Sequence, residues 1–159
     1  MFSSDRILAL NVGAGKILLA EFSVKSGRPP ELVNYGTCEL GVEPENEAGV
    51  GELLAPAIRE IMKSRGIRPA PLMLSVSGQM VFPRFVRLPA VGEEKLLQMV
   101  RYEVEQNVPF PMEEIVWNHQ FIGDDSTGEQ CAMIVAAKIE SVREITDCVV
   151  EAGLEPDTV

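Results

Sequence analysis

The segment 11–16, which reads NVGAGK, contains the residue types in this chain that most directly suggest phosphate chemistry. Glycines followed by a lysine occur in loops that bind phosphate through backbone N–H groups. A Walker A loop is excluded, because the glycine required five positions before Gly15 is Leu10, and the lysine is followed by Ile17 instead of serine or threonine. A dinucleotide fingerprint is excluded too, because the third glycine is missing and the next segment has the pattern of a strand.

The glycine turn resembles the first phosphate loop of actin-like ATPases, in which the backbone of a tight turn holds phosphate. The resemblance makes Asn11, Gly13, Ala14, Gly15 and Lys16 the candidate nucleotide-binding residues. Asn11 stands where such loops usually carry an acid that organises Mg²⁺, and an amide brings no charge for that ion. A plain glycine hairpin and residual nucleotide binding both stay open, and hydrolysis by this chain alone is not expected.

A second candidate segment is a helix bounded by prolines, which the sequence predicts over Glu93–Asn107. Acidic residues in its first turn complement the positive end of the helix dipole, and Pro109 and Pro111 stop the helix by removing backbone donors. An apolar stripe at helical spacing is predicted to bury one side of it. The members of this stripe are Leu96, Leu97, Val100 and Val104.

The end of this helix is a candidate protein-binding surface. Carboxylates in the last turn oppose the negative end of the dipole, and such local inconsistencies often mark functional surface. Alternatively, the acids are solvated or paired with Arg101. The rigid segment 108–112 either exposes the ring of Phe110 to a partner or tucks it into the core. The candidate partner-binding residues are Arg101, Glu103, Glu105, Gln106, Pro109, Phe110 and Pro111.

Four strands and one helix are predicted to position the glycine turn. The strands are the aliphatic and β-branched runs Ile7–Val12, Ile17–Val24, Glu31–Leu40 and Leu72–Val76. A helical pattern covers Glu47–Arg65 and includes Leu53 in its apolar face, with Gly66 as its stop. Pro56 would cost a helix interior about 3 kcal/mol, so the well-formed helix is predicted to begin near Ala55 or to be kinked.

The second half is predicted to be a small α+β unit from about Met80 to Gly153, hinged near Ser77-Gly78. Besides the helix Glu93–Asn107, its predicted elements are the strands Met80–Leu88, Glu114–Ile122 and Ala132–Ala137 and the helix Ile139–Ala152. Residues 124–128 are predicted to form the hairpin loop between its later strands, and 154–159 to begin a further strand.

Strand parity places Trp117, His119 and Phe121 on one face of a strand, toward the core of this unit. His119 has no neighbouring pattern of metal ligands or of a catalytic triad, so it is predicted to be structural. The sequence offers no candidate catalytic residue and no candidate metal ligand.

The composition of the chain limits the classes of partner that it can bind. With 24 acidic and 14 basic residues, the net charge of -10 argues against nucleic-acid binding, which needs a basic patch. Three widely spaced cysteines suit neither a zinc site nor a disulfide scaffold, and predict a reduced cytosolic protein. The first residues lack the pattern of a signal peptide, and no apolar run approaches the roughly 20 residues of a membrane span. Membrane contact is therefore expected only through a partner.

The segment 101–111, supported by the shorter segments 136–138 and 152–156, resembles the type IV pilus assembly protein PilM family of the actin-like superfamily. The resemblance implies an actin-like, ribonuclease H-like α/β subdomain at 1–78, followed by a small inserted α+β subdomain at 79–159, with the second lobe absent. It also implies a cytoplasmic scaffold, peripheral to the inner membrane. The expected partner is the cytoplasmic tail of a PilN-like inner-membrane protein, bound in a cleft between the two subdomains; other pilus assembly proteins or self-association are further expected partners.

The resemblance implies no cofactor for this chain and leaves ATP and Mg²⁺ to a full-length protein, whose second phosphate loop would follow Val159. A kinase-like or ATPase member of the superfamily is the rival interpretation, and it requires a catalytic carboxylate and a complete two-lobed cleft. An FtsA-like division filament protein also carries an inserted subdomain, but the helix that leads into Pro-Phe-Pro favours PilM.

Overall fold

The structure is a computed structural model that describes residues 5–41, 50–124 and 129–159. The strands are β1 (Arg6–Val12), β2 (Lys16–Ser23), β3 (Glu31–Glu39), β4 (Leu72–Val76), β5 (Val81–Leu88), β6 (Ile115–Asp124), β7 (Gln130–Lys138) and β8 (Pro156–Thr158). The helices are α1 (Val50–Arg65), α2 (Glu93–Asn107) and α3 (Ile139–Glu151), with single 3-10 turns at Gly78–Met80 and Met112–Glu114. Residues 47–49 of the predicted first helix and 125–128 of the predicted hairpin loop lie outside the described residues.

A five-stranded sheet in the order β3-β2-β1-β4-β8 carries the glycine turn. β1 pairs antiparallel with β2 and parallel with β4. Alternate residues of these strands face one side, where Leu8, Leu10, Ile17 and Leu19 are almost completely buried. α1 packs on this side, and Gly36 of β3 allows its close approach, because a Cβ at Gly36 would lie 2.5 Å from Cγ2 of Ile61.

The prediction that α1 begins near Ala55 is wrong, because Pro56 lies inside a helix that already includes Val50. Pro56 is exposed, and so is Glu52, whose carbonyl loses its helical partner, while the buried neighbours Leu54 and Ile58 hold the helix on the sheet. Leu53 was predicted in the apolar face but is 44% exposed. Gly66 ends the helix as predicted, with a φ of 64°.

A three-stranded antiparallel sheet in the order β5-β7-β6 has its own core with α2. α2 spans the predicted residues Glu93–Asn107. Its buried stripe is narrower than predicted, because Leu96, Val100 and Val104 are buried whereas Leu97 is 42% exposed. Residues four apart stay on one side of a helix, and Leu97 falls to the flank of that row.

The predicted face shared by Trp117, His119 and Phe121 is confirmed. The ring of His119 lies 6.2 Å from that of Trp117 and 5.2 Å from that of Phe121, measured between centroids. Trp117 and Phe121 pack against the core between the three-stranded sheet and α2. All three side chains are half-buried, because β6 is an edge strand of this sheet.

Contacts divide the chain into one unit of Met1–Ser77 with Arg143–Val159 and a second unit of Gly78–Val142. The second unit begins where the sequence suggested, but residues 143–159, which were assigned to the insertion, belong with the first unit. The predicted last strand exists as β8, and it pairs in parallel with β4. The N–H of Leu72 donates to Oδ2 of Asp157 at 3.0 Å, and Nη2 of Arg59 lies 2.7 Å from Oε1 of Glu151. These long-range contacts join β8 to β4 and the end of α3 to α1.

Candidate functional site

The glycine turn is a closed hairpin between β1 and β2. The N–H of Gly13 donates to the carbonyl of Lys16 at 2.9 Å, and the N–H of Leu40 donates to the carbonyl of Gly15 at 2.8 Å. A Cβ on Gly13 would lie 3.0 Å from the carbonyl oxygen of Lys16, so this position fits glycine closely. The turn is thus held by one hydrogen bond within the hairpin and by another to Leu40, the residue that follows β3.

The five candidate nucleotide-binding residues lie together at one end of the sheet, because all of them belong to the hairpin that joins β1 to β2. Among the described residues, the N–H groups of Ala14 and Gly15 make no backbone hydrogen bond, and the side chain of Lys16 is exposed. A phosphate could therefore receive two backbone donors and one cation here. No described group of three or more His, Cys, Asp and Glu could hold a metal ion.

Ser75 joins this site, although it was not among the residues predicted from the sequence. β1 and β4 are parallel neighbours in which Asn11 is paired with Ser75, and Nδ2 of Asn11 lies 3.3 Å from Oγ of Ser75. Both residues stand near the carboxyl ends of their strands, which is where open α/β sheets place their ligands. The signal that could have pointed to Ser75 is its position at the end of an apolar strand.

The polar end of α2 is partly self-paired. Nε of Arg101 lies 3.1 Å from Oε1 of Glu105, and Nδ2 of Asn107 donates at 2.9 Å to both the carbonyl and Oε2 of Glu103. The alternative in which an acid pairs with Arg101 is therefore the observed one for Glu105. The Arg101–Glu105 pair is exposed, and an i, i+4 pair of this kind contributes about 0.3–0.5 kcal/mol. Such a weak pair is easily exchanged for a partner's charge.

Phe110 is tucked against the core and does not project into solvent. Its ring packs edge-on against Phe82, with centroids 5.1 Å apart, and Nζ of Lys138 lies 4.3 Å from its centroid. Pro109 and Pro111 on either side are exposed, as is Gln106. The exposed-anchor alternative for Phe110 is wrong: the ring instead supports a rigid proline surface from beneath.

Sequence reasoning missed both partners of Phe110. Phe82 lies on β5 and Lys138 ends β7, and the antiparallel pairing of these strands sets Phe82 opposite Ala136. Such cross-strand neighbours depend on register, which the sequence of either strand alone does not specify.

A five-stranded sheet that starts with an antiparallel hairpin, together with a small α+β unit inserted after β4, defines an actin-like protein. A family model described as type IV pilus assembly protein PilM matches residues 33–159, and the chain therefore belongs to the PilM family. Among the described residues, no helix is long and apolar enough to cross a membrane.

Two solved structures are similar to the chain. The PilM-PilN type IV pilus biogenesis complex is 26% identical, with a TM-score of 0.74, over 95% of this chain and 46% of that chain. The cytoplasmic domain of EpsL, an inner-membrane component of the type II secretion system of Vibrio cholerae, is 16% identical, with a TM-score of 0.59, over 96% of this chain and 57% of that chain. The second likeness shows the fold alone. The chain spans about half the length of these structures, and none of the curated proteins matches it.

Proposed function

We propose that this chain is a cytoplasmic scaffold of type IV pilus assembly that binds the cytoplasmic tail of a PilN-like inner-membrane protein. The observation that carries the proposal is the likeness, at 26% identity over 95% of this chain, to a solved complex of PilM with PilN. The scaffold acts by binding and not by catalysis, and it reaches the membrane through its partner.

The exposed end of α2 is the proposed contact surface. Glu105, Gln106, Pro109 and Pro111 are exposed there, and Phe110 fixes the backbone beneath them. Prolines hold this surface in one conformation, so a partner loses little conformational freedom in ordering it. Arg101 and Glu103 complete the polar rim of the surface.

Charge favours a tail from the cytoplasmic side of a membrane protein. Cytoplasmic segments close to a membrane carry an excess of lysine and arginine. This chain has a net charge of -10, and the end of α2 carries Glu103 and Glu105. Attraction between exposed charges is screened by salt, so the affinity for the peptide is expected to fall moderately as the ionic strength rises.

Fluorescence anisotropy with a labelled PilN-like tail peptide tests the proposed surface. Glu105→Lys is expected to weaken binding several-fold, because it reverses a charge at the surface. The matched control is Glu60→Lys, the same substitution at an exposed position of α1, which should bind as the wild type does. Equal affinities for the wild type and both variants would show that the end of α2 is not the site.

Phe110→Ala tests the support beneath the proline surface. Loss of the ring is expected to reduce binding more than Glu105→Lys does, whereas Phe110→Leu, which keeps an apolar side chain, should retain most of the affinity. Circular dichroism must first show that each variant is folded. If folded Phe110→Ala binds the peptide like the wild type, the ring has no part in recognition.

Weak nucleotide binding at the glycine turn is a second, subordinate proposal. It is favoured by the pairing of Asn11 with Ser75 beside an exposed Lys16, at the carboxyl ends of two parallel strands. Asn11 brings no charge to hold Mg²⁺, so turnover is not expected from this chain.

A further inference from the structure

The sheet of the second unit has an apolar face on the side opposite α2. Three rows of paired residues cross this face from β5 through β7 to β6. The rows are Val81–Ala137–Val116, Pro83–Val135–Asn118 and Phe85–Met133–Gln120. Phe85 is 69% exposed and Val116 is 47% exposed. We call these residues other than the buried Ala137, together with Arg87 in the next row, the open face. It holds one cation and no acid, although the chain as a whole is strongly acidic.

A groove of about 490 Å³ runs along one flank of α2. Val91, Met99 and Tyr102 form its apolar lining, and Lys95, Gln98 and Glu103 its polar lining. Tyr102 is 60% exposed and Val91 is 37% exposed. We call this feature the α2 groove. α2 carries the acids Glu93, Glu94, Glu103 and Glu105 against two basic residues, so this side of the second unit is acidic.

The open face presents a large apolar ring and a cation, and the α2 groove has an apolar lining and an acid. The open face presents a projecting ring, Phe85, with Arg87 two residues further along the same side of β5. The α2 groove offers an apolar recess with Glu103 in its lining. A Phe ring that leaves water for such a recess is the kind of anchor that dominates protein interfaces.

We propose that the occupant of the α2 groove is the open face of a second copy of this chain, with Phe85 in the recess and Arg87 beside Glu103. Two chains of net charge -10 repel each other, and a contact that brings Arg87 of a surface without acids next to Glu103 offsets part of that repulsion. Two open faces packed together would instead leave both grooves empty. The contact is head-to-tail, so each added copy presents a further open face or groove and the assembly can extend.

Sedimentation velocity over a range of concentrations tests this contact in the 159-residue chain. The average mass of the wild type is expected to rise with concentration, and Phe85→Ser and Tyr102→Lys should each weaken the association at least tenfold. The matched control is Leu32→Ser, which changes a side chain of β3 that is 52% exposed and should associate as the wild type does. A wild type that stays monomeric throughout, or a Tyr102→Lys variant that associates normally, overturns the proposal.

Mixing the two variants distinguishes a head-to-tail contact from a symmetric one. Phe85→Ser keeps an intact α2 groove and Tyr102→Lys keeps an intact open face. An equal mixture should therefore form dimers of one copy of each and grow no further, although each variant alone is monomeric. A mixture that stays monomeric, or one that forms larger assemblies, contradicts the proposed geometry.

Discussion

Gly36→Ala is expected to destabilise the first unit, because β3 and α1 approach each other at this glycine. A Cβ at Gly36 would lie 2.5 Å from Cγ2 of Ile61 and 3.1 Å from Cγ of Arg65. Ile61 is only 3% exposed, so its side chain has little room to move away. The methyl group must push the helix from the sheet or force Ile61 out of its rotamer.

The magnitude follows from two opposing terms. Overpacking a buried site costs about 1–3 kcal/mol, while replacing glycine by alanine within a strand returns roughly 0.5–1 kcal/mol of backbone entropy. The 2.5 Å approach to a buried side chain puts the overpacking term at about 2–2.5 kcal/mol, so the net loss is about 1–2 kcal/mol. For a chain of this size each kcal/mol corresponds to about 2–4 °C, so the melting temperature should fall by roughly 2–8 °C.

Thermal unfolding by circular dichroism measures this loss, with Gly51→Ala as the matched control. A Cβ at Gly51 would lie 3.9 Å from Sγ of Cys148, an ordinary contact, and Gly51 lies within α1. The control should therefore be neutral or stabilising, by up to about 1 kcal/mol. In an Ile61→Ala background the Gly36→Ala change should cost less, because the clashing methyl group is gone. Gly36→Ala unfolding at or above the wild-type temperature would refute the close approach.

Two further predictions concern reactive and ligand-binding groups. Burial, followed by the nearby carboxylates of Glu151, Asp147 and Glu144, raises the pKa of the Cys148 thiol. In a variant with the other two cysteines replaced by serine, Cys148 should react with a disulfide reagent more slowly than a free thiol does near pH 8. Adding Glu151→Gln should speed this reaction, because it removes a nearby negative charge. An unchanged rate in that variant would contradict the effect of charge. Calorimetry with ATP should show weak or no binding, and micromolar affinity or hydrolysis abolished by Lys16→Ala would contradict the expectation for the glycine turn.

The bounds of α2 were predictable because the signals that set them are local. Glu93 and Glu94 favour a helix start, and Pro109 and Pro111 prevent continuation. The exposure of Leu97 was not predictable in the same way, because this residue lies at the margin of the apolar stripe. Whether a marginal position is covered depends on the surface against which the helix packs, and that surface is set by tertiary structure.

Long-range pairing accounts for the other differences. Periodicity predicted a strand after Leu154, but it could not show that β8 pairs with β4, so residues 143–159 were assigned to the wrong unit. The candidate nucleotide-binding residues could be predicted because they are close together in the sequence. Ser75 could not, because it is 64 positions away from Asn11 in the sequence and lies next to it only through the parallel pairing of β1 with β4. The tucked position of Phe110 likewise depends on Phe82, a residue of another strand.

Hydrogen exchange with and without a PilN-like tail peptide tests the proposed function most directly, because it reports binding and its location together. With saturating peptide, the amides of residues 101–108 and of Phe110 are expected to exchange more slowly, while those of residues 60–66 at the end of α1 should be unchanged. Absence of any protection in a chain shown to be folded, or protection confined to residues outside 101–111, would contradict the proposal that the end of α2 receives the tail.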